Sequence, residues 1–263
     1  MYVVSPAHGA KKPKTRREDE SLLQCILEFL GEDREVRSVS DSDLERFKQA
    51  RMRGEWGPSR QRVGARIVAK HVVALRTMLN WATRQRTARG EPLLRWNPLS
   101  GLRIPVEKNP KRPVESYDRF LKLMEVAGEV DWRLPLALTL AESTGQRIGS
   151  ILTLRCSDVE LDRLPHGRIR FRAENQKTGY EHGVPVAPYA RRVLKAHLAR
   201  LDGQTTPWLL PAERNPEKSV CVSTMSHRLR DAYEKAELTT LSGGLWHPWR
   251  RKWATERKGM PLK

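Results

Sequence analysis

The chain of 263 residues carries 49 Lys and Arg against 31 Asp and Glu, with a formal net charge of +18 and a pI near 10.3. This length allows one large domain or two small ones, and the charge favours a polyanionic partner, most commonly nucleic acid, over a basic protein without such a partner. No apolar run approaches the ~20 residues of a membrane span, and three cysteines without a CxxC pair indicate neither disulfides nor structural zinc. We expect a cytoplasmic, nucleic-acid-associated protein with no membrane partner.

The first residues are polar and basic. Residues 1–20 include AKKPKTRRED, which has no apolar periodicity, and they predict a flexible tail that touches phosphates. Helical patterning begins at SLLQCILEFL, where Ser21 is a candidate N-cap. A second short helix is predicted in SDSDLERFKQ, with Ser40 or Ser42 as its cap.

The clearest helix of the first half lies in RVGARIVAKHVVALRTMLNWATRQR. Its apolar side chains recur at spacings of four, three and four and form one stripe, at Val68, Val72, Leu75 and Leu79. On nearly the opposite side, basic side chains recur every four residues, at Arg62, Arg66 and Lys70. Such a stripe is often only a solvated face. The net charge favours a contact with the DNA backbone, because phosphates are bound mainly by such side chains.

A proline-rich break follows this helix. RIPVEKNPKRP, at the end of the break, is typical of an extended interdomain linker. Helical spacing resumes in SYDRFLKLMEVA, with Ser116 as its cap. We therefore predict a tail at 1–20, a helical domain at 21–102, a linker at 103–115 and a larger domain at 116–263.

The second half contains one candidate β-hairpin. GRIRFRA alternates strictly, with Ile169 and Phe171 on one face and arginines on the other, and HGVPVAP is a second short strand. Lys177 lies in the polar connection between them. It can donate a proton if neighbouring cations lower its pKa, although a lysine there is by itself a routine turn residue. The predicted fold is mainly α with a small antiparallel β-sheet, of the α+β class.

Two further segments carry candidate phosphate ligands. In STGQRIGSILTLRCSDV, Arg147 precedes an apolar helix. The helix dipole favours anions at this end, so it does not explain an arginine there. Arg147 is therefore either aimed at a phosphate or an ordinary surface arginine. In HPWRRKWAT a helix is predicted to begin near Pro248, which places His247 and Arg250 on one face. Histidine acts as acid or base near neutral pH, and arginine binds two phosphate oxygens at once. A lone HxxR is frequent by chance.

The order of these motifs resembles the catalytic domain of tyrosine recombinases, the phage-integrase family. The sequence has TGxR, an apolar helix ending in LRCSDV, a short sheet bearing KTG before VPV, two helices and HPWRRKWAT. The preceding helical domain, with LNWA, NPL and the linker, is similar to the core-binding (SAM-like) domain of that family. The resemblance covers about residues 21–263. It implies a helical core-binding domain followed by an integrase-type catalytic domain.

The resemblance also implies roles for the matching residues. Arg147 and Arg250 would clamp the scissile phosphate, Lys177 would protonate the leaving 5′ oxygen, and His247 would act in proton transfer and phosphate binding. Fixed guanidinium groups stabilise charge on non-bridging oxygens without a metal, and no carboxylate cluster suggests a two-metal nuclease. We expect no metal and no cofactor, double-stranded DNA as partner, a homotetramer on recombination sites and a monomer without DNA.

Two features depart from the family pattern. Ser150 stands where the family usually has an acidic residue, and no tyrosine occurs among the 13 residues after Arg250, although the family's nucleophilic tyrosine lies a few tens of residues beyond HxxR. We therefore expect a C-terminally incomplete recombinase, inactive by itself, whose complete form cuts and rejoins DNA through a 3′-phosphotyrosyl intermediate. The alternatives are a catalytically inactive DNA-binding relative and an unrelated basic DNA-binding regulator.

Overall fold

The computed structural model describes residues 1–101 and 112–256, and the chain divides into two compact units, Met1–Pro110 and Lys111–Lys263. Most of the predicted linker at 103–115 lies outside the described residues. Among the helices that the structure describes, none combines the length and the apolar character needed to cross a membrane.

The first unit is a helical bundle. Its α-helices are α1 (Pro6–Gly9), α2 (Pro13–Leu30), α3 (Asp41–Arg53) and α4 (Ala65–Arg84). Helices α2 and α3 both pack against α4, whose predicted apolar stripe from Val68 to Leu79 is buried. Ser40 is the N-cap of α3: its hydroxyl accepts from the Asp43 backbone N–H, and the Asp43 carboxylate accepts from the Ser40 N–H at 2.9 Å.

The structure corrects the predicted flexible tail at 1–20. A 3-10 helix spans Tyr2–Val4, and α2 begins at Pro13, so Ser21 lies inside a helix instead of capping one. His8 is fully buried, and the Tyr2 ring packs edge-on against Trp81 with 5.5 Å between ring centroids. The prediction was wrong because the average composition of a polar segment does not reveal its two buried rings, Tyr2 and His8. The Tyr2 ring alone buries a large apolar area.

The second unit is mainly helical and contains one small sheet. Its helices and strands are α5 (Tyr117–Val130), α6 (Leu134–Thr144), α7 (Ile148–Leu152), β1 (Val159–Glu160), β2 (Arg168–Phe171), β3 (His182–Pro185), α8 (Pro188–Leu201), α9 (Val222–Lys235) and α10 (His247–Glu256). The strands pair antiparallel in the order β1-β2-β3, with Ile169 opposite Val184. Ile169 and Phe171 face the core, as their alternation predicted. The predicted fold class is confirmed.

Helix α6 lies at the centre of the second unit. It packs against α5, α8 and α10, and most of its side chains are buried, because LPLALTL is apolar on every face. Ser116 caps α5 as predicted, with its hydroxyl accepting from the Arg119 N–H. The C-terminal end of α6 therefore holds a fixed position from which the next turn starts.

The core of the second unit already includes Glu115, the last residue of the predicted linker. Glu115 is buried and accepts hydrogen bonds from Arg119 Nε at 2.7 Å and from the hydroxyl of Tyr233 in α9. A buried carboxylate requires such partners. Glu115 therefore belongs to the core of the second unit, although the polar, proline-rich composition placed it in the linker.

Candidate active site

One cleft of the second unit brings together all four residues predicted to be catalytic. The cleft has a volume of about 420 Å³. It is lined by residues from the start of α7 and the turn before it, from the β2–β3 connection, and from around the starts of α9 and α10, namely Gln146, Arg147, Ile148, Gly149, Ser150, Asn175, Lys177, Val222, Trp246, His247 and Arg250. Among the described residues, its lining includes four basic or histidine side chains and no carboxylate.

The turn between α6 and α7 positions Arg147. Gly145 ends α6 in the left-handed conformation, with φ +59°, and the chain then extends through Gln146. Arg147 precedes a helix, as predicted, and is the N-cap of α7. Its carbonyl oxygen accepts from the Ser150 N–H at 2.9 Å and the Ile151 N–H at 3.1 Å. The backbone of Arg147 is therefore fixed while its side chain lines the cleft.

Three side chains of α10 attach this helix to the last turn of α6. Arg250 Nη1 donates to the Gly145 carbonyl oxygen at 2.7 Å. Trp253 Nε1 donates to the Ser143 carbonyl oxygen at 3.1 Å. Lys252 Nζ lies 2.6 Å from Glu142 Oε1 in a buried ion pair. The guanidinium of Arg250 is thus held by the same turn that presents Arg147.

Gly145 leaves no room for a side chain. A Cβ at this position would lie 2.6 Å from Trp253 Cγ, well inside the contact distance of two carbon atoms. The positive φ also disfavours every residue except glycine. The glycine of TGxR is therefore required by the packing of α10, and its position in front of Arg147 is a consequence of helix packing.

The β2–β3 hairpin, whose connection carries the exposed Lys177, is attached at two points to the segment from Gln146 to Ser150. The Gln146 amide nitrogen lies 2.9 Å from His182 Nε2, which accepts in the tautomer protonated on Nδ1, and the His182 ring stacks on Phe171 at 5.4 Å. Ser150 Oγ donates to the Asn175 carbonyl oxygen at 2.9 Å. Ser150, which departs from the family pattern, therefore supports the connection that bears Lys177.

The electrostatics of the cleft follow from its uncompensated positive charge. Burial lowers the pKa of His247 below its ordinary value, and the neighbouring guanidinium groups of Arg251, Arg147, Arg250 and Arg112 lower it further. Burial and the charge of Arg147 lower the pKa of Arg250. The two predicted clamp arginines therefore lie close enough to repel each other, and a phosphate between them would remove that repulsion.

The three residues predicted to contact DNA all lie on the surface of the first unit. Arg62 is outside α4, because the helix begins at Ala65 after its N-cap Gly64, so the predicted continuous stripe is wrong at that position. Arg66 and Lys70 are exposed on α4. Lys70 forms an ion pair with Glu18 of α2, and an exposed pair of this kind is worth only ~0–1 kcal/mol.

Comparison with known proteins assigns the family. Residues 114–263 match the sequence model of the phage integrase family. The chain belongs to this family. Among curated proteins, none matches its sequence significantly.

Solved structures show the same fold at low sequence identity. The lambda integrase tetramer bound to a Holliday junction matches with a TM-score of 0.75 and 19% identity, over 98% of this chain and 71% of that one. The lambda integrase dimer bound to a COC′ core site gives 0.73 and 19%, over 97% and 67%. The Tn1549 transposon integrase in complex with transposon right end DNA gives 0.69 and 15%, over 97% and 84%.

The sequence did not predict the contacts that hold the elements bearing the four catalytic candidates in place. Gly145 enters the sequence prediction only as part of TGxR, and its packing role is signalled only by its place at the end of an apolar helix. Gln146 and His182 carry no signal, because their contact joins two segments that are distant in the sequence. A prediction from spacing along one helix or strand does not detect such a pair.

Gly145→Ala is expected to lower the free energy of unfolding of the second unit by about 1–3 kcal/mol, since it adds both strain at positive φ and a clash with Trp253. Gly149→Ala is the control: its Cβ would find Val222 at 4.0 Å and no closer neighbour, so helix propensity should raise stability by about 0.5–1 kcal/mol. Urea unfolding measures both variants. Equal effects of the two substitutions would contradict the packing role of Gly145.

Arg147→Ala is expected to raise the pKa of His247, because removing a neighbouring positive charge favours the protonated imidazole. An NMR titration of the His247 ring measures the change. Arg163→Ala is the control, since Arg163 is exposed and pairs with Glu160 at 3.0 Å, and it should leave this pKa unchanged. An identical His247 titration in wild type and Arg147→Ala would show that the two side chains are not neighbours.

Proposed function

We propose that this chain binds double-stranded DNA and acts in site-specific DNA recombination, with the cleft holding the phosphate at which a strand is cut and rejoined. The observation that carries the proposal is the convergence of Arg147 and Arg250 on one cleft together with Lys177 and His247. Among the described residues, no carboxylate lines this cleft to neutralise them. Such an arrangement is suited to an anionic ligand.

The two arginines would stabilise the charge that develops during phosphoryl transfer. Attack on a phosphodiester concentrates negative charge on the non-bridging oxygens, and fixed guanidinium groups bind these oxygens without reorganising. The Arg250 guanidinium is held by its hydrogen bond to Gly145, and the backbone of Arg147 is held by the first turn of α7. Removing one such donor typically reduces the rate of the chemical step by roughly 10²–10³-fold.

Lys177 and His247 are suited to proton transfer and phosphate binding. When the nucleophile's oxygen forms its bond to phosphorus, the bond from phosphorus to the 5′ oxygen breaks, and Lys177 would give that leaving oxygen its proton. Burial and then the neighbouring guanidinium groups lower the pKa of His247, which favours the neutral imidazole, and a neutral imidazole can donate one hydrogen bond or accept a proton.

We further propose that the nucleophile is none of the tyrosines described in this structure. All five belong to the described residues, and none lines the cleft. The Tyr233 hydroxyl donates to buried Glu115, and burial followed by this carboxylate raises the pKa of Tyr233 well above its usual range. Tyr189 donates to Glu142 of the α6–α10 ion pair. Tyr180 is exposed in the β2–β3 connection.

The structurally similar proteins suggest how such a chain assembles. They include a lambda integrase dimer on a core site, a lambda integrase tetramer on a Holliday junction and a transposon integrase on transposon DNA. We propose by analogy a homotetramer on recombination sites, a monomer without DNA, a cytoplasmic location and a role in a mobile element.

Replacing Arg62, Arg66 and Lys70 with Ala is expected to weaken binding to duplexes of any sequence and to flatten the salt dependence. The slope of log K against log salt should fall by about 0.9 for each phosphate that the variant no longer binds. Fluorescence anisotropy over a salt series measures this slope. A matched triple variant on the same unit, Arg53→Ala, Arg37→Ala and Arg89→Ala, controls for net charge. Equal slopes in the two triple variants would mean that the predicted residues are only a solvated face.

The 263-residue chain alone is expected to bind a nicked suicide duplex without forming a covalent adduct, because no described tyrosine hydroxyl lines the cleft. A native gel measures binding, and a denaturing gel detects any covalent band. A band that disappears in Tyr180→Phe would assign the nucleophile to the β2–β3 connection and contradict the proposal. Failure to bind duplex DNA on the native gel would refute the DNA-binding function itself.

A further inference from the structure

Two arginines outside the predicted site lie side by side against a glycine turn. A Cβ built at Gly243 would lie 2.9 Å from Arg251 Nη1 and 3.2 Å from Arg112 Cδ, so both side chains cover the same backbone position. Arg251 Nε donates to the Pro113 carbonyl oxygen at 3.0 Å, and its Nη2 donates to the Ser242 carbonyl oxygen at 3.2 Å. The guanidinium of Arg251 is therefore fixed in place, with Nη1 against the Gly243 turn.

These two positive charges have no counter-charge in the part of the chain that the structure describes. Neither Arg112 nor Arg251 forms an ion pair with a carboxylate among residues 1–101 and 112–256, whereas many other arginines do. The pKa of Arg251 is lowered by burial and then by the charge of Arg112. The repulsion between these two guanidinium groups lowers the stability of the folded chain, and an anion between them would relieve it.

The turn beside the two arginines is open to a ligand. Gly243 and Gly244 have φ of +90° and +93°, and both are exposed. A Cβ at Gly244 would lie 3.4 Å from His247 Cδ2, so the turn brings bare backbone up to the edge of the candidate active site. A side chain at Gly243 would be strained at this φ, and its Cβ would meet the Arg251 guanidinium and the Arg112 Cδ.

We propose that Arg112 and Arg251, with the Gly243–Gly244 turn, form a second phosphate-binding subsite. It would hold a DNA backbone phosphate other than the one between Arg147 and Arg250. The inference rests on the proposed function, since it assigns a second phosphate of the same DNA. The Gly243–Gly244 turn lies against His247, which lines the cleft, so the two subsites are neighbours and suit phosphates of one strand.

Arg112 offers the cleaner test of the two. Arg251 also binds two carbonyl groups, so its removal changes the turn itself. Within the described residues, the Arg112 side chain donates no hydrogen bond, and Arg112→Ala should fold as the wild type does by circular dichroism. Arg163→Ala removes the same charge from the exposed β1–β2 turn and serves as the matched control.

The measurement is the salt dependence of binding to a duplex of arbitrary sequence. Arg112→Ala should reduce the slope of log K against log salt by about 0.9, the value for one phosphate contact, and Arg112→Lys should restore most of it. Arg163→Ala should leave the slope unchanged. A slope for Arg112→Ala equal to that of Arg163→Ala would overturn the subsite while leaving the proposed function intact.

Double variants distinguish two separate phosphate subsites from a single shared one. If Arg112 and Arg147 hold different phosphates, the double Ala variant should lower the slope by about 1.8, whereas Arg112→Ala with Arg251→Ala should lower it by only about 0.9. A decrease of about 0.9 for the Arg112 and Arg147 pair would mean that they share one phosphate, which overturns a second subsite. If the wild-type chain fails to bind the duplex at about 50 mM salt, the proposed function fails, and the subsite fails with it.

Discussion

The hydrogen bond from Arg250 to the Gly145 carbonyl oxygen is the contact on which the candidate site depends. It joins the last turn of α6 to the first turns of α10, and it forms only because Gly145 adopts a left-handed conformation and has no Cβ against Trp253. The same glycine turns the chain toward Arg147. A single backbone geometry therefore holds the Arg250 guanidinium and places the backbone of Arg147 beside it, and binding one phosphate with two arginines requires such proximity.

Holding these charges together costs stability, and α10 offsets the cost with contacts away from the cleft. Trp249 is fully buried in the core of the second unit, and Lys252 pairs with Glu142 in a nearly buried contact. These side chains alternate along α10 with the cleft residues His247 and Arg250. One face of α10 is thus stabilised by packing. The other face carries Arg250, whose repulsion with Arg147 would be relieved by a bound anion.

Local sequence signals were enough to place the elements that carry the site. The capped start of α5, the alternation of β2 and the proline at the start of α10 each depend on neighbouring residues, and each prediction is confirmed. The tail at 1–20, the position of Arg62 and the role of Arg112 depend on contacts between distant segments. No periodicity encodes such contacts. The composition of residues 1–20 therefore predicted a flexible tail where the structure has packed rings, and the spacing of basic residues predicted an unbroken stripe where α4 has not yet begun.

The segment from Gly145 to Ser150 connects three of the four predicted catalytic groups, namely Arg147, Arg250 and Lys177. Gly145 holds Arg250 through its carbonyl oxygen, Gln146 contacts His182 on β3, and Ser150 holds Asn175 in the connection that carries Lys177. An acidic side chain at position 150 would add a negative charge near Arg147, whereas the serine hydroxyl adds none and instead donates to the connection. In this chain the departure from the family pattern therefore leaves the positive charge of the cleft undiminished and uses the same position to fix the lysine-bearing connection.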